Sequence, residues 1–369
     1  MTGDPQKRRS LGGSVRDALS QMPPPGIKRT LFRDFADIKE FYLDEEQKNR
    51  LEKMRPVSRG FYLCGWLLKS LFFKLAPLRR LLLIIAAFML ITENKEINVG
   101  TFNFTFNMGN LGALILIFIL MLELKDKLLA RNELAEGRAI QMRLLPKTSP
   151  KIANWDAWLH SEPANDVGGD LIDCIRFNDN HHVLVLGDVS GKGLPAALLM
   201  VKLQATIRAL YTESIDLSAL GAQINGIFHR DGITRSFATL VVLDVRGESG
   251  RIQVLNAGHT PPVLIQDRRP RATQKGNPAL GLLPDTGYRV TEECLRKGDV
   301  FLVYSDGINE SRNPQGDCFG NDRLFSLIAT LSESSAANIG EKILKAVHEF
   351  SGEARPDDDQ TLLVIKYLG

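Results

Sequence analysis

The apolar and polar positions fall into three textures along the chain. Residues 1–60 are polar and basic, broken by Pro23-Pro24-Pro25. This pattern predicts a flexible cytoplasmic arm with a short helix near 34–55. Residues 61–122 are dominated by apolar side chains. The stretch 99–122 carries no charge, and a helix of that length can cross a bilayer. Upstream, 81–92 is strongly apolar but short. It becomes a span only together with 61–80, which holds Lys69, Lys74, Arg79 and Arg80. Those cations either snorkel to the interface, or 61–77 lies on the membrane surface as a basic amphipathic helix. The pattern thus predicts a two-helix transmembrane hairpin over 61–122. Basic residues precede the first span, and Lys125, Lys127 and Arg131 follow the second. The positive-inside rule then predicts a multi-pass protein of the cell (inner) membrane with its C-terminal part in the cytoplasm. The competing reading is a buried apolar helix pair in a dimerisation domain; the length of the run favours the membrane.

Residues 123–146 are rich in Leu, Ala, Glu and Arg, and Leu128, Ala135 and Met142 recur every seven positions. This predicts a helical linker, either an ordinary amphipathic helix or a short parallel coiled coil that would pair two copies of the chain. Pro146 and Pro150 end it. From 151 to 369 short β-branched runs alternate with Gly, Asp and Pro turns: 183–186, 238–245, 251–255, 263–265, 300–304 and 361–367. Helical patterns cover 194–211 and 338–350, with a shorter one near 323–331. Strands come in consecutive groups with helices between them, which predicts antiparallel sheets covered by helices, an α+β layered sandwich.

Composition narrows the function. Over 369 residues the formal charge is only +3, which gives a nucleic-acid partner no support. The four cysteines, Cys64, Cys174, Cys294 and Cys318, contain no Cys-x-x-Cys pair, which argues against a zinc cage or a disulfide framework.

The distinctive chemistry is acidic. Val167-Gly168-Gly169-Asp170, Gly187-Asp188-Val189-Ser190-Gly191-Lys192-Gly193, Ser305-Asp306-Gly307-Ile308-Asn309-Glu310 and Asp357-Asp358-Asp359-Gln360-Thr361 each join an aspartate to a turn at the end of an apolar run. Carboxylates gathered from separate loops onto one sheet end suit hard divalent cations such as Mg²⁺ and Mn²⁺. Two such ions lower the pKa of a bridging water and neutralise charge on a transferring phosphoryl group. Taken singly, each Gly-Asp is an ordinary turn signal. Gly191-Lys192-Gly193 lacks the spacing of a nucleotide P-loop. His259 reads as a hydrogen-bonded turn histidine, and His181-His182 beside Asn178-Asp179-Asn180 as a solvated hairpin tip. Asp357 and Asp359 read as loop charges flanking one ligand.

Together these motifs resemble the metal-dependent protein phosphatases (PPM, type-2C-like), in the bacterial branch typified by the stage-II sporulation phosphatase and the sigma-regulator phosphatases. The likeness covers about 132–368. It includes the helix ending in Gln141-Met142-Arg143-Leu144-Leu145-Pro146, the acidic motifs above, Asn256-Ala257-Gly258-His259-Thr260-Pro261-Pro262 and Phe319-Gly320. The resemblance implies a central β-sandwich with helices outside and hydrolysis of protein phosphoserine or phosphothreonine with two Mn²⁺ or Mg²⁺ ions. It implies Asp188 as the bridging ligand, the Val189 carbonyl nearby, Asp170 on one ion, Asp306 and Asp358 on the other, and Asp173 behind them. It implies a phosphorylated anti-sigma-factor antagonist of STAS type as substrate. The linker 123–146 is then expected to relay a signal to the Asp170 and Asp188 loops. Competing readings are a non-catalytic membrane signalling scaffold and a metal-dependent phosphoesterase acting on a small molecule or nucleotide.

Overall fold

The computed structural model describes residues 47, 50, 51, 54, 56–92, 95–99, 102–146, 149–231, 236–247, 249–352 and 356–369. The expected arm over 1–60, with its helix near 34–55, lies almost wholly outside the described residues. The chain divides into two compact units, 1–127 and 128–369.

The first unit holds helices α1 (Pro56–Lys74) and α2 (Pro77–Ile91), an antiparallel hairpin of β1 (Lys95–Val99) and β2 (Phe102–Phe106), and helix α3 (Met108–Leu144) as far as Lys127. Arg79 forks between Glu123 (2.6 Å) and Asp126 (2.5 Å). Gly112 allows α3 close to α2, since a Cβ there would stand 2.9 Å from the Ala86 carbonyl oxygen.

No helix among the described residues is long and apolar enough to cross a membrane. This overturns the expected transmembrane hairpin over 61–122 and the multi-pass placement in the cell membrane. The reason lies in how the apolar runs are cut. Pro77 opens a new helix, so the first run is split and α2 has only 15 residues. At 1.5 Å per residue such a helix is about 22 Å long, against a hydrocarbon core of about 30 Å. The uncharged stretch 99–122 is not one helix either. Its first part lies in the hairpin, α3 begins only at Met108, and Glu123 follows after a similarly short distance.

The second unit is a four-layer sandwich. One sheet has the order β10-β7-β6-β5-β4 and the other β3-β12-β11-β8-β9, with all pairings antiparallel. The strands are β3 (Trp155–Glu162), β4 (Asp170–Asn178), β5 (His181–Val189), β6 (Ala238–Arg246), β7 (Arg251–Ala257), β8 (Val263–Gln266), β9 (Arg269–Ala272), β10 (Val290–Cys294), β11 (Val300–Tyr304) and β12 (Gln360–Tyr367). Helices α4 (Leu194–Leu210) and α5 (Leu217–Arg230) cover the first sheet. Beside the second lie the single turn α6 (Asp306–Asn309) and helices α7 (Gly320–Leu331) and α8 (Ala336–Ser351).

Strand alternation builds the layers. Val183 and Val185 face α4, whereas Leu184 and Leu186 face the opposite sheet. Phe301, Val303, Leu363 and Ile365 meet them between the sheets, and Leu302, Leu362 and Val364 pack under α7 and α8. Central strands buried on both faces therefore read as unbroken apolar runs. Each fully buried Leu, Val or Phe contributes roughly 1.5–3 kcal/mol. Gly340 lets α8 lie flat on β3, because a Cβ there would overlap the Trp158 ring at 2.0 Å.

The sandwich agrees with the expected α+β layers, and the predicted strands and the helices at 194–211, 323–331 and 338–350 all form. One local expectation fails: His181 and His182 are buried, at 5% and 1% exposure. The hairpin that carries them folds against Tyr211 and Asp244. His181 Nε2 lies 3.1 Å from Asp244, and the Tyr211 hydroxyl donates to the same carboxylate.

Candidate active site

The four acidic motifs reach one end of the sandwich from four elements. Asp170 opens β4 and Asp188 lies near the end of β5, and antiparallel pairing sets them directly opposite each other. Asp306 starts the single turn α6 that follows β11, and Asp358 stands two residues before β12. The central strands β11 and β12 are neighbours. Their ends are tied by Ser305, whose hydroxyl donates to the Asp359 carbonyl (3.1 Å) and accepts from the Thr361 N–H (3.0 Å).

Asp359 is the residue that sequence reasoning undervalued. It is buried at 6% exposure. Its carboxylate accepts from the backbone N–H of Ala164 (2.8 Å), Gly169 (2.7 Å) and Asp170 (3.2 Å). It therefore holds the turn before β4 against the start of β12, bridging the two sheets. The glycines of both motifs follow from this. A Cβ at Gly168 would lie 2.2 Å from Asp359 Oδ2, and one at Gly307 would lie 2.0 Å from the Asp359 carbonyl oxygen. Asp357, by contrast, is an exposed loop residue as expected.

The electrostatics record the crowding. Burial pushes the Asp170 carboxyl well above the usual carboxylate range, and the Asp188 charge adds to the shift. Asp170 Oδ2 is buried with no hydrogen-bond partner. Asp188 is pushed up to about 7, by burial first and then by Asp306, Asp358 and Asp359. Asp306 is raised by burial and by Asp358. Among the described residues no three His, Cys, Asp or Glu side chains are arranged closely enough to hold a metal ion. The carboxylates instead line an open acidic end whose like charges repel. An orphaned buried acceptor amid mutually raised carboxylates is a donor set suited to a hard divalent cation.

Lys192 offsets part of this charge. Gly191 and Gly193, at φ 105° and 72°, turn the loop so that the Lys192 ammonium reaches Asp358 (2.9 Å) and the Asp357 carbonyl (2.6 Å). A cavity of ≈ 200 Å³ beside it is lined by Lys192, Asp306, Glu310, Arg312, Asp357 and Asp358. Arg312 escaped the sequence reading because nothing beside it marks it; only the fold brings it to the acidic end.

His259 is a strut between the sheets. Its Nε2–H donates to the Tyr304 carbonyl (3.1 Å), and its Nδ1 lies 2.8 Å from the Thr239 hydroxyl, which also donates to the Asp188 carbonyl (3.3 Å). Burial lowers its pKa to about 4. Thr239 pairs with Asp188 across β5 and β6, and Tyr304 leads into Asp306. The expected turn histidine is thus hydrogen-bonded through both nitrogens. Asp173 departs from its expected place behind the site. It faces the helix layer, opposite Asp170, where Arg208 of α4 grips it through two 2.7 Å bonds.

Comparison with known proteins follows this geometry. Residues 178–368 match the family described as stage II sporulation protein E (SpoIIE). The chain is 26% identical over 269 residues to protein IcfG of Synechocystis sp., covering 63% of this chain and 42% of that protein. It is 26% identical over 247 residues to phosphoserine phosphatase RsbP of Bacillus subtilis, covering 64% and 59%. The chain therefore spans about half the length of these two curated relatives. Among solved structures, the SiaA-PP2C domain of Pseudomonas aeruginosa shares the fold, with a TM-score of 0.57 and 20% identity over 66% of this chain and 98% of that one. Since the family match spans more than half of the chain, the protein belongs to the SpoIIE family.

Proposed function

We propose that this protein is a metal-dependent phosphoserine/phosphothreonine protein phosphatase whose substrate is a phosphorylated signalling protein, an anti-sigma-factor antagonist of STAS type. The observation that carries this reading is the convergence of four acidic motifs on one sandwich end, where Asp188 is raised by burial and then by its carboxylate neighbours. The name of RsbP, a phosphoserine phosphatase, supports it.

In this reading Asp170, Asp188, Asp306, Asp358 and the Val189 carbonyl would hold two Mn²⁺ or Mg²⁺ ions, with Asp188 shared between the sites of Asp170 and of the Asp306–Asp358 pair. When bound, such ions supply a water of lowered pKa and neutralise charge on the phosphoryl group. The chain's own residues do the rest. Asp359 and Ser305 lock the strand ends, so the carboxylates stay within reach of one another. Lys192 and Arg312 line the cavity beside Asp306 and Asp358 and attract the substrate's phosphate. His259 has no free nitrogen and orients Thr239 and Tyr304 without moving a proton.

The test is phosphate release from phosphorylated STAS-domain proteins by the full chain, with Mn²⁺ and with chelator. Release is expected only with the metal. It should vanish in Asp188→Ala while circular dichroism stays native. Undiminished release in that variant contradicts the site. Hydrolysis of small phosphomonoesters with none from any phosphoprotein would favour a small-molecule phosphoesterase.

A further inference from the structure

A cavity of ≈ 560 Å³ opens over the edge of the first sheet, between the start of α5 and the loop 273–278. That volume is usual for a small-molecule site, roughly 300–1,000 Å³. Lys275 and Arg289 line it together with Ser218, Thr273, Gln274 and Tyr288, and no Asp or Glu does. It shares no residue with the cavity at the acidic end. Its walls are fixed by the fold. The Asn277 N–H and Nδ2 donate to the Asn256 carbonyl (2.8 and 2.9 Å). The Asn277 side chain also accepts the Arg289 N–H (2.7 Å) and donates to the Arg289 carbonyl (2.9 Å), which ties the loop to the strand that carries Arg289. Gly276 presses on β7, where a Cβ would stand 2.5 Å from Asn256 Cγ. Two features of the cavity have no use in the fold. Tyr288 is 3% exposed, and its hydroxyl is buried with no hydrogen-bond partner. Lys275 and Arg289 have no ion-pair partner among the described residues, whereas Arg251 and Arg271 at the same sheet edge pair with Glu292 (3.3 Å) and Glu293 (3.0 Å).

We propose that this cavity binds a small phosphorylated, hydroxyl-rich molecule, a sugar or polyol phosphate, with Lys275 and Arg289 on its phosphate and the Tyr288 hydroxyl bonded to an oxygen of its body. Two unpaired cations with no carboxylate in the same wall select an anion, and the planar fork of arginine matches a phosphate. Ser218, Thr273 and Gln274 offer the hydrogen bonds that a polyol takes up. Tyr288 is the one aromatic side chain in the wall, and it is buried, so a nucleotide finds no ring face on which to stack its base. Burial pushes the Tyr288 phenol up to about 12, so the hydroxyl keeps its proton and acts as a donor at neutral pH. A buried donor left unpaired is costly, and the ligand supplies the acceptor that the fold does not. Because the walls are already tied by Asn277, little ordering opposes binding.

The experiment uses the full chain in EDTA, so that no divalent cation draws phosphate to the acidic end and no ester is hydrolysed. Glucose 6-phosphate, glycerol 3-phosphate, inorganic phosphate and glucose are titrated by calorimetry, with the ligand-induced rise in Tm as the second readout. At least one of the two esters should bind once per chain. Inorganic phosphate should bind about tenfold more weakly, and glucose should not bind at millimolar concentration. Lys275→Ala and Arg289→Ala should each raise the Kd of the ester about tenfold. Tyr288→Phe should raise it about fivefold, while the free protein melts no lower than wild type, since it loses a hydroxyl that had no partner. A tyrosine that only packs would leave the Kd unchanged. Arg312→Ala, in the cavity at the acidic end, should bind the ester as wild type does. If Arg289→Ala does not fold, Lys275→Ala on the exposed loop carries the test. Four results overturn the site: no binding of either ester, inorganic phosphate or glucose binding as tightly as the ester, a wild-type Kd in Tyr288→Phe or in both cation variants, or an equal loss in Arg312→Ala, which would place the ligand at the acidic end.

Discussion

Asp188 concentrates the electrostatics of the molecule in one side chain. Its carboxyl is raised from 3.8 to about 7 in the folded protein. Between those values the folded state holds a proton that the unfolded state has released. The stabilisation from Asp188 is therefore present at low pH and lost as pH rises through about 7. Without divalent cation, Asp188→Asn should melt above wild type, and the gap in Tm should widen from pH 5 to pH 7.5. His259 has the opposite sign. Its folded value of about 4 lies below the ordinary 6.5, so its contribution is lost as pH falls through that window. Comparing Asp188→Asn with wild type at each pH cancels the histidine. Protons also compete with metal at Asp188, so activity should fall below pH 7, and higher Mn²⁺ should move that limb to lower pH. For Arg312→Ala, KM for a phosphoprotein should rise severalfold, by about 1 kcal/mol of lost charge-assisted contact, with Mn²⁺ affinity unchanged. At this scale the sequence singled out Asp170, Asp188 and Asp306 by their turn glycines and Asp358 by its place in an acidic run before the last strand. It did not separate Asp359 from Asp357. Both stand in one acidic run, and only the long-range bonds to Ala164, Gly169 and Asp170 distinguish them.

At the scale of elements, legibility followed burial. β5, β6, β11 and β12 are apolar on both faces and were read as strands directly. The edge strands β9 and β10, with the sequences RPRA and VTEEC, carry charges that face solvent and gave no apolar run. β4 was hidden for a different reason. Its polar positions are employed: Asp170 at the acidic end and Asp173 in the pair with Arg208. That pair fastens α4 to the sheet. Arg208→Ala leaves a nearly fully buried carboxylate without its partner and should cost about 1–3 kcal/mol, measured by chemical denaturation. Its Mn²⁺ dependence should match wild type, because Asp173 lies on the face of β4 away from Asp170. A changed Mn²⁺ dependence would restore Asp173 to the metal site.

Across the whole molecule, hydropathy located the apolar segment but not its elements. A break at Pro77 and a hairpin at 95–106 cut the run into pieces too short to span a bilayer; the proline was visible in the sequence, but no window of composition reveals the hairpin. The sandwich was legible because its strands are consecutive and its glycines mark their ends. The bonds from Gln141 to both backbone polar groups of Gly168 were not, since one glutamine near a helix end carries no local signal. The central claim is that residues far apart in the chain form one cation site. Calorimetric titration of the full chain with Mn²⁺ at pH 7.5 tests it most directly. Two ions should bind per chain, and Asp188→Ala should remove that binding while the fold persists. No binding by wild type, or an unchanged isotherm in Asp188→Ala, would contradict it.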